Sequence, residues 1–135
     1  MPNVTGQELS ETSESHRSIK ILANTSEMQA VKHAELGISQ IAFFRAGVLE
    51  IAGGTEVGMS SHGMAMAKME GGRIKELSVS DPSRTLSRIT MSVSGIYDSQ
   101  GESFSTRPDR SKNSTTVTID LPRGVYAGKS VTVRL

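Results

Sequence analysis

The stretch LSRITMSVSG, residues 86–95, alternates between apolar and polar side chains. On an extended chain Ile89, Met91 and Val93 point to one side, and the serine and threonine residues between them point to the other. A repeat of two residues is the period of a β-strand. Because only one side is apolar, the pattern indicates a strand with one face on a core and the other toward water. Gly95 ends the run.

The same alternation recurs through the C-terminal half of the chain. It is present in ELSVS, STTVTIDLP and KSVTVRL, which begin at Glu76, Ser114 and Lys129. Gly71-Gly72 predicts a hairpin turn, and Asp81-Pro82 predicts the end of a strand. The spacing of these signals suggests about eight to ten short strands. We therefore predict an all-β fold, a two-sheet antiparallel β-sandwich.

The most apolar segment is ISQIAFFRAGVLEIAGG, residues 38–54. Its β-branched and aromatic content predicts a strand over 38–51 that supplies core, with Phe43 and Phe44 both buried. RSIKILA, from Arg17, also has the composition of a strand, whereas MQAVKHA, from Met28, fits either a short helix or a strand. The polar, turn-rich residues 98–114 are predicted to form a long loop.

The composition of the chain limits the classes of function that can be expected. A chain of 135 residues is long enough for one domain. Its 15 basic and 14 acidic residues give a net charge of +1, which offers no bulk electrostatic reason to expect nucleic acid as a partner. No apolar run approaches the ~20 residues that span a membrane, and the chain opens without a signal-peptide pattern. Residues 1–16 are predicted to be a polar lead-in or linker, and residues 17–135 the sandwich domain.

The motifs typical of metal and cofactor sites are missing from the sequence. It has no cysteine, and His16, His33 and His62 are dispersed, which argues against a zinc site. It contains no calcium-loop motif, no phosphate-binding loop and no nucleophile elbow. We therefore expect no cofactor and no metal.

Two further motifs resemble a known enzyme family. NTSEMQAVKHAELG, residues 24–37, matches the pattern N-x-x-x-x-Q-A-V-x-H-x-x-L-G, and LSVSDPS, residues 77–83, matches L-x-V-S-D-P-T except that Ser83 replaces threonine. In this order they resemble the C-terminal β-domain of family-8 polysaccharide lyases such as the chondroitinase AC type. The resemblance covers residues 17–94, and the strands after Val117 fit more loosely. The absence of tryptophan is a second departure, since the family's aromatic strand often carries one.

The resemblance implies that this chain is one part of a larger enzyme. Family-8 lyases cleave chondroitin, chondroitin sulfate or hyaluronan by β-elimination at a uronic acid. Their catalytic Asn, His, Tyr and Arg belong to a helical domain, which precedes this module together with a larger β-sandwich. No catalytic residue is therefore carried over, and the chain alone is expected to be inactive as an enzyme. The parent is expected to be a secreted or periplasmic bacterial lyase, with its signal outside this sequence, and the preceding domains are its expected partners.

The polar residues of the two motifs have a structural interpretation. His33 with its neighbours suggests acid–base chemistry, but a histidine beside Val31 on one strand face more often makes structural hydrogen bonds. Gln29 is expected to cap a loop as a buried amide. Asp81 of the Asp81-Pro82 pair is expected to accept backbone N–H groups in an Asx-type turn.

An alternative function is an accessory module that binds anionic polysaccharide. Arg107, Arg110 and Lys112 lie in one predicted loop and suit carboxylate or sulfate groups. The aromatic residues near predicted loops are the candidates for exposed stacking platforms: Tyr97, Phe104 and Tyr126. A third alternative is an adhesion-type sandwich without an enzymatic parent.

Overall fold

The structure is a computed structural model, and it describes residues 19–135. The lead-in predicted for residues 1–16 lies outside the described residues, as do Arg17 and Ser18. The strands are β1 Ile19–Asn24, β2 Met28–His33, β3 Ile38–Phe43, β4 Gly47–Ala52, β5 Thr55–Met59, β6 Gly63–Glu70, β7 Arg73–Ser80, β8 Arg88–Ser94, β9 Phe104–Asp109, β10 Ser114–Asp120 and β11 Val131–Arg134, with a 3₁₀ turn at Gly124–Tyr126.

These strands form two antiparallel sheets. The six-stranded sheet has the order β1-β2-β3-β6-β7-β11, and the five-stranded sheet has the order β4-β5-β8-β10-β9. One buried core cluster draws side chains from both sheets. The predicted all-β, two-sheet antiparallel sandwich is therefore confirmed, and MQAVKH forms a strand rather than a helix.

The core confirms the alternation read from residues 86–95. Ile89, Met91 and Val93 are buried, and Val117 and Ile119 of the neighbouring β10 are buried beside them in register. Full burial of an aliphatic side chain of this size contributes about 1.5–3 kcal/mol. The opposite face of β8 and β10 carries mainly serine and threonine, so the same strands that fill the core also present a hydroxyl-rich surface.

The prediction of one apolar strand over residues 38–51 is wrong. Residues 44–46 form a bend between β3 and β4, and those two strands belong to different sheets. The chain thus crosses from one layer to the other, and Ile51 faces the same core as Phe43 from the opposite side. Phe43 is 2% exposed, whereas Phe44 in the bend is 52% exposed. The expected burial of Phe44 is wrong because adjacent residues on an extended chain point to opposite sides, and Phe44 directly follows the inward-facing Phe43.

The loop predicted for residues 98–114 contains a strand. β9 pairs with β10 at the edge of the five-stranded sheet. Its charged residues and Pro108 suggest a loop in the sequence, but proline is tolerated on an edge strand, and charges on an edge discourage pairing with further chains. Arg107 is exposed on this strand.

Tyr97 is buried, in contrast to the exposure considered for it from the sequence. Its hydroxyl accepts a hydrogen bond from the backbone N–H of Ile74 at 2.7 Å. The guanidinium of Arg73 lies 4.4 Å from the centre of the ring. Because the ring fills core space and the hydroxyl satisfies a buried N–H, Tyr97 joins the two sheets and is not a ligand platform.

Candidate functional site

Strand β2 separates the polar residues of the QAVKH motif onto different faces. Ala30 points into the core, whereas Gln29 is exposed on the outer face of the six-stranded sheet. The interpretation of Gln29 as a buried amide is therefore wrong, because its place in the alternation puts it opposite to Ala30. His33 is half-buried and aligned with Ile19 of β1 and Ile38 of β3.

Lys32 of the same motif links the two sheets. Its Nζ donates a hydrogen bond to the backbone carbonyl of Ile51 at 2.9 Å, and the side chain is partly buried. Ile51 belongs to β4 of the five-stranded sheet. Since Gln29 and His33 point away from this contact, the motif does not bring its polar groups together as a catalytic cluster.

Asp81 anchors the loop that follows β7. Its buried carboxylate accepts hydrogen bonds from the backbone N–H groups of Ser83, Thr85 and Leu86 at 3.0, 2.8 and 2.7 Å, and from the Ser83 hydroxyl. Burial alone raises the pKa of Asp81, but these hydrogen bonds outweigh it and hold the pKa far below its usual value. The carboxylate therefore organises an Asx-type turn, in which exposed Pro82 is the next residue.

His62 closes over this turn, a contact that the sequence did not indicate. Its Nε2 lies 3.3 Å from Oδ1 of Asp81 and 3.0 Å from the hydroxyl oxygen of Ser83. In a nucleophilic triad the histidine separates the carboxylate from the hydroxyl. Here a single ring nitrogen faces both groups, and the Ser83 hydroxyl binds Asp81 directly. These contacts hold the loop that contains His62 against the loop that contains Asp81 and Ser83. They do not activate Ser83 as a nucleophile.

The three basic residues singled out from the sequence lie on two different elements. Arg107 is on β9, while Arg110 and Lys112 are in the turn that leads to β10. Asp109 stands among them and accepts hydrogen bonds from the backbone N–H and the hydroxyl of Ser111 at 3.0 and 2.6 Å. The hydrogen bond from the Ser111 hydroxyl lowers the pKa of Asp109 against the opposing effect of desolvation, and the backbone and charge of Lys112 lower it further. An ionised carboxylate thus offsets part of the positive charge of this region.

The outer face of the six-stranded sheet carries an unusual surface. One row of aligned residues crosses all six strands, and a second crosses five. The first row is Ile21, Val31, Gln40, Met66, Ser78 and Thr132; the second is Asn24, Gln29, Ala42, Met64 and Ser80. Neither row contains a charged side chain. We call these two rows the uncharged face.

Two apolar side chains of the uncharged face are well exposed. Ile21 is 73% exposed and Met64 is 46% exposed. Charge returns in the row on the His33 side, where Lys68, Glu76 and Arg134 are aligned and Arg134 pairs with Glu76 at 3.4 Å. A solvent-facing sheet usually alternates apolar-in with polar-out, and exposed apolar surface in a contiguous patch marks contact sites.

The alternation of residues 64–67 is a signal for this face in the sequence. Met64 and Met66 alternate with Ala65 and Ala67, and the larger side chains point outward while the alanines face the core. Methionine is enriched at protein interfaces. Only the pairing of β6 with β3 shows that these methionines join an uncharged surface.

Within residues 19–135, no group of three or more His, Cys, Asp or Glu side chains is arranged to hold a metal ion. In the same part of the chain, no helix is long and apolar enough to cross a membrane.

Comparison with protein families identifies a match over residues 20–90, more than half of the chain. The matching family is described as polysaccharide lyase family 8, C-terminal beta-sandwich domain. Comparison with curated protein sequences gives no significant match.

Solved lyase structures contain the same fold. A chondroitinase AC lyase aligns with 96% of this chain at 25% identity and a TM-score of 0.72. A Paenibacillus xanthan lyase aligns with 98% at 22% identity and a TM-score of 0.72. The chondroitin AC lyase of Streptomyces coelicolor A3 aligns with 98% at 18% identity and a TM-score of 0.68.

This chain spans only a small part of those enzymes, 17%, 12% and 17% of their respective lengths. The family resemblance drawn from the two sequence motifs is confirmed by the family match and by the shared fold. The chain belongs to polysaccharide lyase family 8, where it corresponds to the C-terminal β-sandwich domain.

Proposed function

We propose that this chain is the non-catalytic C-terminal module of a larger lyase and that it supports the catalytic domains by docking through the uncharged face. The observation that carries this proposal is the pair of uncharged residue rows across the outside of the six-stranded sheet. Leaving apolar side chains such as Ile21 and Met64 in water is unfavourable, and a covering domain would remove that cost.

The proposed occupant is the domain that precedes this one in the parent chain. The similar lyases are several times longer than this chain, so most of their length lies in other domains. β1 is both the first described strand and an edge of the six-stranded sheet, and it contributes Ile21 to the uncharged face. A domain that precedes β1 is therefore tethered beside this face, which raises its effective concentration there.

The parent is proposed to cleave a glycosaminoglycan, either chondroitin sulfate or hyaluronan, by β-elimination. Two of the similar structures are chondroitin AC lyases, which supports this substrate class, although the third is a xanthan lyase. Because such polysaccharides are too large to enter a cell, the parent is proposed to act in a secreted or periplasmic location. Residues 1–16 are proposed to link residues 17–135 to the preceding domains, which would carry the catalytic residues.

The test places a charge on the uncharged face of the full-length lyase. Met66→Lys is expected to lower the melting temperature of the full-length enzyme by a few degrees and to reduce its turnover, because a buried unpaired ammonium would disrupt docking. In the isolated chain the same change is expected to have little effect, since Met66 is then partly in contact with water.

The matched control is Thr116→Lys, on the outer face of the five-stranded sheet. It introduces the same charge at an exposed strand position opposite Arg107 of β9, and the like-charge contact is expected to cost both proteins equally, less than about 1 kcal/mol. If Met66→Lys affects the full-length enzyme no more than Thr116→Lys does, docking through the uncharged face is excluded. Lyase activity of the isolated chain, followed by the ultraviolet absorbance of the unsaturated product, would contradict the non-catalytic role.

A further inference from the structure

An exposed aromatic residue stands among positive charges at the turn before β11. Tyr126 is 58% exposed, and it ends the 3₁₀ turn Gly124–Tyr126. The ammonium of Lys129 lies 4.9 Å from the centre of its ring. This distance is that of a cation–π contact, so the ring and the charge form one unit.

Arg84 joins this unit from a distant part of the sequence. Its Nη2 approaches the carbonyl oxygen of Gly124 at 3.5 Å, and its side chain lies across Gly128, where a Cβ would be 3.2 Å from its Cγ. Arg84 has a φ of 62°, an uncommon value for a residue with a side chain. Its N–H donates to the backbone carbonyl of Asp81 at 3.0 Å, so the Asp81-anchored turn holds this conformation.

The exposed charged side chains of this unit are positive, whereas the carboxylate of Asp81, which anchors the Arg84 turn, is buried. The segment 121–135 contains Arg123, Lys129 and Arg134 and no acidic residue. Arg134 is paired with Glu76. Within the described part of the chain, Arg84, Arg123 and Lys129 form no salt bridge. This differs from residues 107–112, where Asp109 stands among the basic side chains.

We propose that Arg84, Arg123, Tyr126 and Lys129 form a binding site for an anionic saccharide, which we call the Tyr126 site. The flat ring suits the apolar face of a pyranose, since aromatic side chains contribute large contact area at small entropic cost. The guanidinium and ammonium groups suit a carboxylate or a sulfate ester on the same or the adjacent sugar. The assignment goes beyond the proposed support function and does not depend on docking through the uncharged face.

The Tyr126 site shares no residue with the uncharged face, although Ser130, next to Lys129, lines the same groove as Met64 and Met66. The two proposals are distinguished by variants at residues that belong to only one of the two surfaces. Met66→Lys removes no group of the Tyr126 site and adds no negative charge, so it is expected not to weaken saccharide binding by the isolated chain. Loss of docking with retained binding, or the reverse, would tell which of the two proposals stands.

The experiment is a titration of the isotope-labelled 135-residue chain, followed by backbone amide chemical shifts and calorimetry at two salt concentrations. The probes are oligosaccharides of hyaluronan, which carries carboxylates, of chondroitin sulfate, which carries carboxylates and sulfates, and of neutral dextran. Binding of both anionic probes identifies the carboxylate as the recognised group, and binding of chondroitin sulfate alone identifies the sulfate; either supports the site. Shifts are expected at residues 84 and 123–129.

The variants distinguish the contribution of ring stacking to binding from the contribution of charge. Lys129→Gln and Arg123→Gln are each expected to weaken binding on the order of tenfold, the effect of losing one charge-assisted hydrogen bond. Tyr126→Ser is expected to weaken binding, while Tyr126→Phe retains it because the ring is kept. All three substituted positions are exposed, and thermal melts of each variant check that the fold is intact.

The control variant is Arg107→Gln with Arg110→Gln, which removes two charges elsewhere. It is expected to leave the affinity within twofold. If this double variant loses binding and the Tyr126 variants do not, the Tyr126 site is overturned in favour of residues 107–112.

Absence of binding to both anionic probes overturns the Tyr126 site, as does equal affinity for dextran. Equal affinity for an oligothymidylate of matched charge also overturns it, because it would show general attraction of polyanions.

Discussion

Gly37 and Met69 approach each other more closely than any residue with a side chain would allow. A Cβ built on Gly37 would lie 2.6 Å from the carbonyl oxygen of Met69. The two residues also share a backbone hydrogen bond, in which Met69 N–H donates to the Gly37 carbonyl at 2.7 Å. Gly37 has a φ of 67°. The glycine that ends the NTSEMQAVKHAELG motif is thus required by backbone geometry, in contact with the end of β6.

Gly37→Ala is therefore expected to destabilise the chain by roughly 2–3 kcal/mol, because the added methyl group meets backbone and the φ is unfavourable for alanine. Urea denaturation measures the change. Gly53→Ala is the matched control, since a Cβ there meets no heavy atom within 4 Å. It is expected to change the free energy of unfolding by no more than about 0.5 kcal/mol. Equal effects of the two changes would show that the close approach is absent in solution.

Asp81→Asn is expected to cost about 2–4 kcal/mol of stability. The buried carboxylate serves three backbone N–H groups, and an amide offers a single acceptor oxygen and places an NH₂ group among donors. The comparison is Asp109→Asn, whose carboxylate is in contact with water and is expected to change the unfolding midpoint little. A midpoint for Asp81→Asn equal to that of Asp109→Asn would argue against the anchoring role.

The same carboxylate gives the stability a pH dependence. The pKa of Asp81 is lower in the folded chain than its ordinary value of 3.8, so the folded state favours the ionised form. The stability it contributes is present above about pH 4 and is lost as the pH falls toward the folded-state pKa. Unfolding free energies measured from neutral to acidic pH should decline more for the native sequence than for Asp81→Asn. Parallel curves would mean that Asp81 does not titrate differently on folding.

Phe43→Ala and Phe44→Ala test the bend that divides the apolar segment. Phe43 is buried between the sheets, so its removal is expected to cost about 3–5 kcal/mol. Phe44 is half-exposed, and its removal is expected to cost less than about 1 kcal/mol. Chemical denaturation of the two variants gives both values. A loss below about 1 kcal/mol for Phe43→Ala would refute its place in the core.

Of the candidate sites, the sequence indicated the Asp81-Pro82 turn, because Asx turns depend on neighbouring residues. It did not indicate the His62 contact with Asp81, nor the approach of Arg84 to the carbonyl oxygen of Gly124. Those residues are far apart in the chain, and strand pairing brings them together. The prediction that Arg107, Arg110 and Lys112 bind polysaccharide stays a prediction.

The sequence by itself determined the all-β class, the inward faces of β7, β8 and β10, and the family, because a period of two and a turn motif are local properties of the chain. Only the tertiary structure decided that β3 and β4 belong to different sheets, that Tyr97 is buried and that the uncharged face exists. Alternation tells which side of a strand is apolar, but not which strand lies next to it. Neighbours in a sheet are chosen by packing over the whole core, and the surfaces available for binding follow from that choice.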